Sequence, residues 1–173
     1  MFWNQNIPVI GYCIFLSETY SIYDCLSYNP CTSEVSNYFA FTRCTASYSS
    51  DGMNVVSDSS TQSSILVFNQ FKGVDTSKNY VVEFELQSAN EIILRTDVNS
   101  NINISTNTGS FNTFNTIRLE YDFANNLIKY YLNGSSVTSK EINNYSATRS
   151  LLYIVDYQYD MNITIKNIKI YPI

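Results

Sequence analysis

Two pairs of carboxylates are the first residues whose spacing could do chemistry. Glu83 and Glu85 stand two apart in YVVEFELQ, and Glu120 and Asp122 repeat the interval in TIRLEYD. In an extended chain that interval puts both side chains on one face, about 6.5 Å apart. At such a separation one carboxyl can serve as acid and its neighbour as base on a glycosidic bond. The same pattern also arises where a strand simply presents acids to water, with cations such as Lys129 as cross-strand partners. The 173 residues include no histidine. Ser-His-Asp and Cys-His nucleophile systems are therefore excluded, as are metal centres that depend on imidazole. None of the five glycines builds a phosphate-cradling loop. The expectation is a protein that is not an enzyme.

The aromatic residues offer a different chemistry. There are 15 tyrosines, 10 phenylalanines and one tryptophan. A tyrosine ring can lie against the C–H face of a pyranose while its hydroxyl stays wet. Tyr130 and Tyr131 are adjacent, so a strand places one ring on each of its faces. Tyr153, Tyr157 and Tyr159 recur at near-even spacing. Tyr131, Tyr157 and Tyr159, with Asn and Ser neighbours, are the expected glycan-binding platform, and Tyr130 is a further candidate. The competing reading makes them half-buried residues at the core edge. Phe2 and Trp3 form an aromatic pair near the start of the chain, suited to packing over a sheet end or to an oligomer contact.

These residues need elements to position them, and the pattern is that of strands. TIRLEYD (Thr116–Asp122), LIKYYL (Leu127–Leu132) and ITIKNIKIYPI (Ile163–Ile173) alternate branched or aromatic with polar residues. Asn125-Asn126 and Asn133-Gly134 stand at the reversals. Further strands are expected at Val9–Leu16, Tyr38–Thr45, Met53–Ser57, Ile65–Phe68, Tyr80–Gln87, Glu91–Thr96, Asn101–Ser105 and Leu151–Asp156. In Tyr80–Gln87 the residues Val82, Phe84 and Leu86 should face one way, and Val81, Glu83 and Glu85 the other. The final strand changes phase: Ile163 and Ile165 share one parity, Ile168 and Ile170 the other. A one-residue bulge at Lys166-Asn167 would put all four on one side; a strand buried on both faces is the rival. Only Glu18–Tyr28 could form a turn of helix. The loops Asp58–Ser64, Val98–Ser110 and Ser139–Thr148 are polar and should gather at the rims.

Composition narrows the setting. The hydrophobic fraction of 45% is that of a globular protein, and residues 1–173 are expected to form a single domain. Only 14% of residues are charged, against about 25% in an average domain. Asn, Ser and Thr take their place, as on extracellular β-proteins and on surfaces that handle neutral glycans. The net charge is −5, with cations scattered singly. No basic stripe is available to neutralise phosphates or an anionic bilayer, so nucleic acid and membrane insertion are not expected. Four Asn-x-Ser/Thr acceptors (Asn103, Asn133, Asn144 and Asn162) occur about as often as this composition gives by chance.

All four cysteines, Cys13, Cys25, Cys31 and Cys44, fall in the first 44 residues without a CxxC pair. A four-cysteine zinc site is therefore not expected. Two disulfides remain open in three connectivities, with Cys25–Cys31 favoured across the Asn29-Pro30 turn. Four reduced thiols packed as small apolar residues are the alternative. Met1–Leu16 is apolar but lacks a basic start and is interrupted by Asn4, Asn6 and Pro8, which makes a poor signal peptide. If Met1 is the initiator, the chain would reach the outside by another route, such as lytic release of a virus particle. A segment excised from a larger surface protein is the other possibility.

Thr116–Val137 (TIRLEYDFANNLIKYYLNGSSV) resembles the hairpin of concanavalin-like and laminin-G-like jelly rolls, and Ile163–Pro172 (ITIKNIKIYP) resembles their closing strand. Ile22–Ser27 (IYDCLS) and Tyr48–Val56 (YSSDGMNVV) are similar to the opening of such modules in phage tail and surface proteins. The resemblance covers about two thirds of the chain. It implies an antiparallel β-sandwich whose relatives bind glycans, bind proteins, decorate assemblies or, in some cases, cleave polysaccharides. The glucanases among them carry an E-x-D-x-x-E run that FELQSANE does not supply. Many relatives also place a calcium-ligating Asp beside an Asn in the closing strand. Lys166 stands there, beside Asn167, so no cofactor is expected and a structural calcium is doubtful; Asp156 and Asp160 remain as nearby oxygen ligands, though they read rather as solvated rim charges. Sequence and resemblance together lead to an all-β jelly-roll module on a virion or cell surface that recognises a glycan without cleaving it. A structural or decoration subunit, a homo-oligomer or part of a larger virion assembly, is the alternative.

Overall fold

The computed structural model describes residues 26–28, 38–58, 60–68, 75–96, 100–104, 110–142, 150 and 152–173. They form thirteen strands: β1 (Leu26–Tyr28), β2 (Phe39–Thr42), β3 (Cys44–Ser49), β4 (Gly52–Ser57), β5 (Ser64–Phe68), β6 (Tyr80–Ser88), β7 (Ile92–Thr96), β8 (Ser100–Ile104), β9 (Asn115–Asp122), β10 (Leu127–Leu132), β11 (Ser135–Glu141), β12 (Tyr153–Asp156) and β13 (Asn162–Pro172). A large sheet runs β11-β10-β9-β6-β13-β4-β3, with β1 also paired to β13. A small sheet runs β2-β5-β12-β7-β8. All pairings are antiparallel. The protein is an all-β jelly-roll sandwich.

Period-two alternation explains the core. Val82, Phe84 and Leu86 from β6, Ile117, Leu119 and Tyr121 from β9, and Ile163 and Ile165 from β13 turn inward from the large sheet. They meet Leu66 and Phe68 of β5, Ile92 and Leu94 of β7, and Ile154 of β12. Phe68 and Phe84 touch across the layers at 5.5 Å between ring centroids. Each large side chain so buried removes apolar area from water worth about 1.5–3 kcal/mol.

The closing strand carries the expected bulge. Lys166 pairs with Glu85, but Lys169 pairs with Glu83, so three steps on β13 match two on β6. Asn167 takes up the extra residue with a φ of 51°, a conformation Asn tolerates better than most residues. Ile163, Ile165, Ile168 and Ile170 are all buried as a result. The bulge also leaves Asn162 and Thr164 on the outer side, in phase with Lys169 and Tyr171. Gly52 abuts it: a Cβ there would stand 2.4 Å from the Ile165 carbonyl oxygen.

The hairpin turns match their sequence signals. Asn133 and Gly134 have φ of 49° and 80° between paired Leu132 and Ser135, as a two-residue type I′ turn requires. The preceding loop is tied by Asp122, which accepts hydrogen bonds from the backbone and side-chain N–H groups of Asn125.

Several expectations are corrected. Tyr38–Thr45 is not one strand. It breaks at Arg43, φ 55°, where the chain passes from the small sheet to the large one. Arg43 Nε donates to the Ser63 carbonyl at 2.6 Å, and the Arg43 carbonyl accepts from Ser64 Oγ at 2.7 Å. Ser135–Glu141, read in part as loop, is the edge strand β11. Leu26–Tyr28, the end of the expected helical turn Glu18–Tyr28, is extended and pairs with β13. Cys44 is a free, buried thiol that donates to the Ile65 carbonyl, not half of a disulfide. Cys13, Cys25, Cys31, Phe2, Trp3 and the strand expected at Val9–Leu16 lie outside the described residues. Among those described, no helix is long and apolar enough to cross a membrane.

Candidate functional site

The paired carboxylates come to the outer face of the large sheet, and each meets its partners there. Lys169 Nζ donates to Glu83 Oε1 at 3.1 Å, with Arg118 3.9 Å from the other oxygen. Lys166 Nζ lies 3.4 Å from Glu85 Oε2, and Asn167 Nδ2 donates to Glu85 Oε1. Arg118 donates twice to Glu120 Oε1, at 2.7 and 3.1 Å. Lys129 pairs with Asp122 at 3.9 Å. The face is a ladder of alternating charges across β10, β9, β6 and β13, as cross-strand pairing favours.

Tyr131 belongs to that ladder. Its hydroxyl donates to Glu120 Oε2 at 3.0 Å, and Arg118 stands over its ring at 5.9 Å. The hydrogen bond to Glu120 raises the phenol above its ordinary value. Tyr130 is corrected as a ligand candidate: it points inward, is only 3% exposed, and burial pushes its phenol up to about 12.

Tyr157 and Tyr159 lie elsewhere, on the loop between β12 and β13, where the chain crosses from the small sheet to the large one. They are 45% and 40% exposed, the highest values among the described tyrosines. Three steps across the large sheet separate β10, which bears Tyr131, from β13, about 14 Å at strand spacing. The expected three-tyrosine platform is thus two groups. What holds the loop is Asp156, whose side chain is fully buried. Its carboxylate accepts the backbone N–H groups of Gln158 and Asp160, both at 2.7 Å. Tyr159 has a φ of 68°, a conformation costly for an aromatic residue and kept only where its surroundings impose it. Asn90 Nδ2 donates to the Asp160 carbonyl, and Gln158 Nε2 donates to Glu91 at 3.3 Å. The Tyr-Gln-Tyr tip is therefore tied down on both sides.

Beside this tip is a depression of about 180 Å³ lined by Gln87, Ser88, Ala89, Asn112, Asn162 and Thr164. Gln87 and Thr164 are cross-strand partners on β6 and β13. Asn112 comes from the 3-10 turn Ser110–Asn112 and accepts at its carbonyl from Gln87 Nε2 at 2.7 Å. Ala89 N donates to the Asn162 carbonyl at 3.0 Å. Asn54 braces the floor, donating to Asn162 Oδ1, the Ile163 carbonyl and Thr164 Oγ1. Ser88–Glu91 runs from the depression directly to the tip. Burial and the neighbouring Asp156 raise the Asp160 carboxyl above its ordinary value. Of the two expected oxygen ligands, Asp156 commits both carboxylate oxygens to this loop, and Asp160 joins it through its backbone N–H and carbonyl. Among the described residues no group of three or more His, Cys, Asp or Glu is placed to hold a metal ion.

Sequence reasoning missed Gln87, Asn112 and Thr164, and noticed Asn162 only as a glycosylation acceptor. Gln87 had a signal, since it shares the outward parity of Glu83 and Glu85. Asn112 had none, because it arrives from a distant turn.

No protein-family model and no curated protein matches the sequence. Solved structures do match in fold. A conserved carbohydrate esterase from the Shiga toxin-encoding bacteriophage phi24B superposes with a TM-score of 0.55 at 14% identity, over 84% of this chain and 97% of that one. A protein of unknown function with a galectin-like fold from Bacillus subtilis gives 0.54 at 6%, over 86% and 96%. A carbohydrate-binding module from Bacillus subtilis gives 0.50 at 11%, over 76% and 94%. The class is thus settled as the jelly-roll sandwich that these proteins share. Likeness at such identities is a likeness of fold.

Proposed function

We propose that this protein is a non-catalytic recognition module of a cell or virion surface, and that it binds a glycan at the rim between β6 and β13. One observation carries the reading. Two exposed tyrosines, fixed by a buried carboxylate, stand beside a depression whose lining is amide, hydroxyl and methyl. Aromatic faces with amide donors and acceptors are what a sugar ring needs: C–H groups against the ring, hydroxyls against the amides. That a carbohydrate-binding module shares the fold agrees with this. The carbohydrate esterase of the same fold keeps hydrolysis in view. Against it stand the lack of histidine and the ion pairs that occupy Glu83, Glu85, Glu120 and Asp122.

The test is a glycan array followed by titration calorimetry. Binding at micromolar affinity is expected, with Tyr157→Ala and Tyr159→Ala each weakening it about tenfold, or ~1.4 kcal/mol. A stable oligomer with no array signal would favour a structural subunit and overturn the reading. Sugar release that disappears in Glu83→Gln or Glu85→Gln would overturn its non-catalytic part.

A further inference from the structure

The rim site is uncharged inside and acidic around its edge. All six lining residues are neutral. On the tip side stand Asp160 and Glu91, with Asp156 buried beneath the loop. On the β4 side stands Asp58, next to Ser57, whose N–H donates to the Met161 carbonyl at 2.8 Å. Two cations come near. Arg43 is held at the sheet-to-sheet corner, with its Nε donating to the Ser63 carbonyl. Lys166, two residues along β13 from Thr164, lies 3.4 Å from Glu85 and 3.8 Å above the centroid of the Phe114 ring. Its charge is already balanced by a carboxylate and an aromatic face. Among the described residues no cationic side chain lines the depression.

From this we propose that the site takes an uncharged saccharide and discriminates against uronates and sulfated or sialylated sugars. The inference rests on the glycan reading above and sharpens it. An anionic sugar would lose water around its charge with only neutral dipoles to replace it, beside the solvent-facing carboxylates of Glu91, Asp160 and Asp58. A neutral ring loses nothing of the kind. The Gln87 side-chain carbonyl and the Asn162 side-chain NH₂ have no partner among the described residues. One acceptor and one donor pair can thus meet hydroxyls, which both donate and accept. A depression of about 180 Å³ is smaller than the ~300–1,000 Å³ pockets that enclose drug-sized ligands, which suits contact with a single ring. Neighbouring rings of a chain would then lie over Tyr157 and Tyr159.

The experiment is calorimetry on the full chain with matched oligosaccharides, neutral hexose oligomers against the same backbones oxidised at C6 to uronates. At about 20 mM salt the uronates should bind at least about fivefold more weakly. The gap should narrow as salt rises to ~0.5 M, because screening shortens the reach of the rim carboxylates. The Glu91→Gln/Asp160→Asn double variant should narrow it at low salt; Asp160→Asn keeps the backbone N–H that Asp156 holds. Uronates that bind as well as or better than neutral sugars would overturn the selectivity and leave glycan recognition standing. If neither series binds, the glycan reading falls together with this one.

Discussion

Replacing Gly52 by alanine tests whether the β13 bulge is packed as described, and the cost can be worked from the backbone. Gly52 has a φ of 122°, where an L-residue is strained by about 1–3 kcal/mol. The added methyl would lie 2.4 Å from the Ile165 carbonyl oxygen and 3.0 Å from Lys166 Cβ. The closer of these is backbone inside a paired strand, so relief means moving β13 at the bulge, a further ~1–3 kcal/mol by analogy with overpacking. Together these come to about 2–6 kcal/mol. For a chain of this size each kcal/mol lowers the melting temperature by about 2–4 °C, so a fall of roughly 4–24 °C is expected. Gly134→Ala is the control. Gly134 has a φ of 80° with nothing within 4 Å of the added Cβ. It should cost only the left-handed strain of ~1–2 kcal/mol. Scanning calorimetry of both variants decides the matter. Equal shifts, or a Gly52→Ala shift within about 2 °C, would refute the close contact between β4 and the bulge.

Other consequences are as direct. Asp156→Ala removes a buried acceptor from two backbone N–H groups and should cost ~2–4 kcal/mol in chemical denaturation. Asp156→Asn, which keeps one acceptor oxygen, should cost less, and amide exchange at Gln158 and Asp160 should quicken in both. The Cys44 thiol is raised above its ordinary value chiefly by burial, so peptide mapping after alkylation at pH 8 should find it unlabelled in native protein and labelled once unfolded. The Asp122 carboxyl is held below its ordinary value first by the Asn125 side-chain hydrogen bond. A depressed acid contributes stability above its unfolded pKa of about 3.9 that is lost as pH falls through the folded value. Melting temperature should therefore fall less steeply in Asp122→Asn than in the parent between about pH 5 and 2.

The large sheet was legible because one of its faces is wet. Hydrophobic parity alone located β6, β9, β10 and the bulge in β13, since a one-residue slip would have exposed two isoleucines. The small sheet obeys a different rule. Ile65, Val155 and Ile93 are register partners on its outer row, and Val155 is only 1% exposed there. With apolar residues on both faces, LLYIVD and EIILRT carry no alternation to read, which is why strand existence was visible and facing was not. The break at Arg43 was hidden for another reason. Neither glycine nor proline marks it; its positive φ is held by Ser63 and Ser64, some twenty residues away. β11 escaped for the opposite cause, being exposed along most of its length. An edge strand with little to bury shows no hydrophobic period.

The site shows why tyrosine content pointed toward binding without saying where. Tyr131 stands in the strand LIKYYL and Tyr159 in the polar stretch DYQYD, and neither setting says which ring is free to bind. In the fold, Tyr131 has its hydroxyl on Glu120 and its ring under Arg118, so a ligand there would first have to break an existing network. Tyr157 and Tyr159 stand more open, on a loop whose backbone hydrogen bonds to Asp156 are already made. A ligand there would displace water without breaking the loop's hydrogen bonds, since the ordering entropy of the loop has been met during folding. What distinguishes the two groups is free hydrogen-bonding capacity together with prior order, and both depend on contacts from residues distant in sequence. Asp156 itself reads in the chain as one more rim acid. Its burial between the two sheets makes it the residue that holds the rim in place.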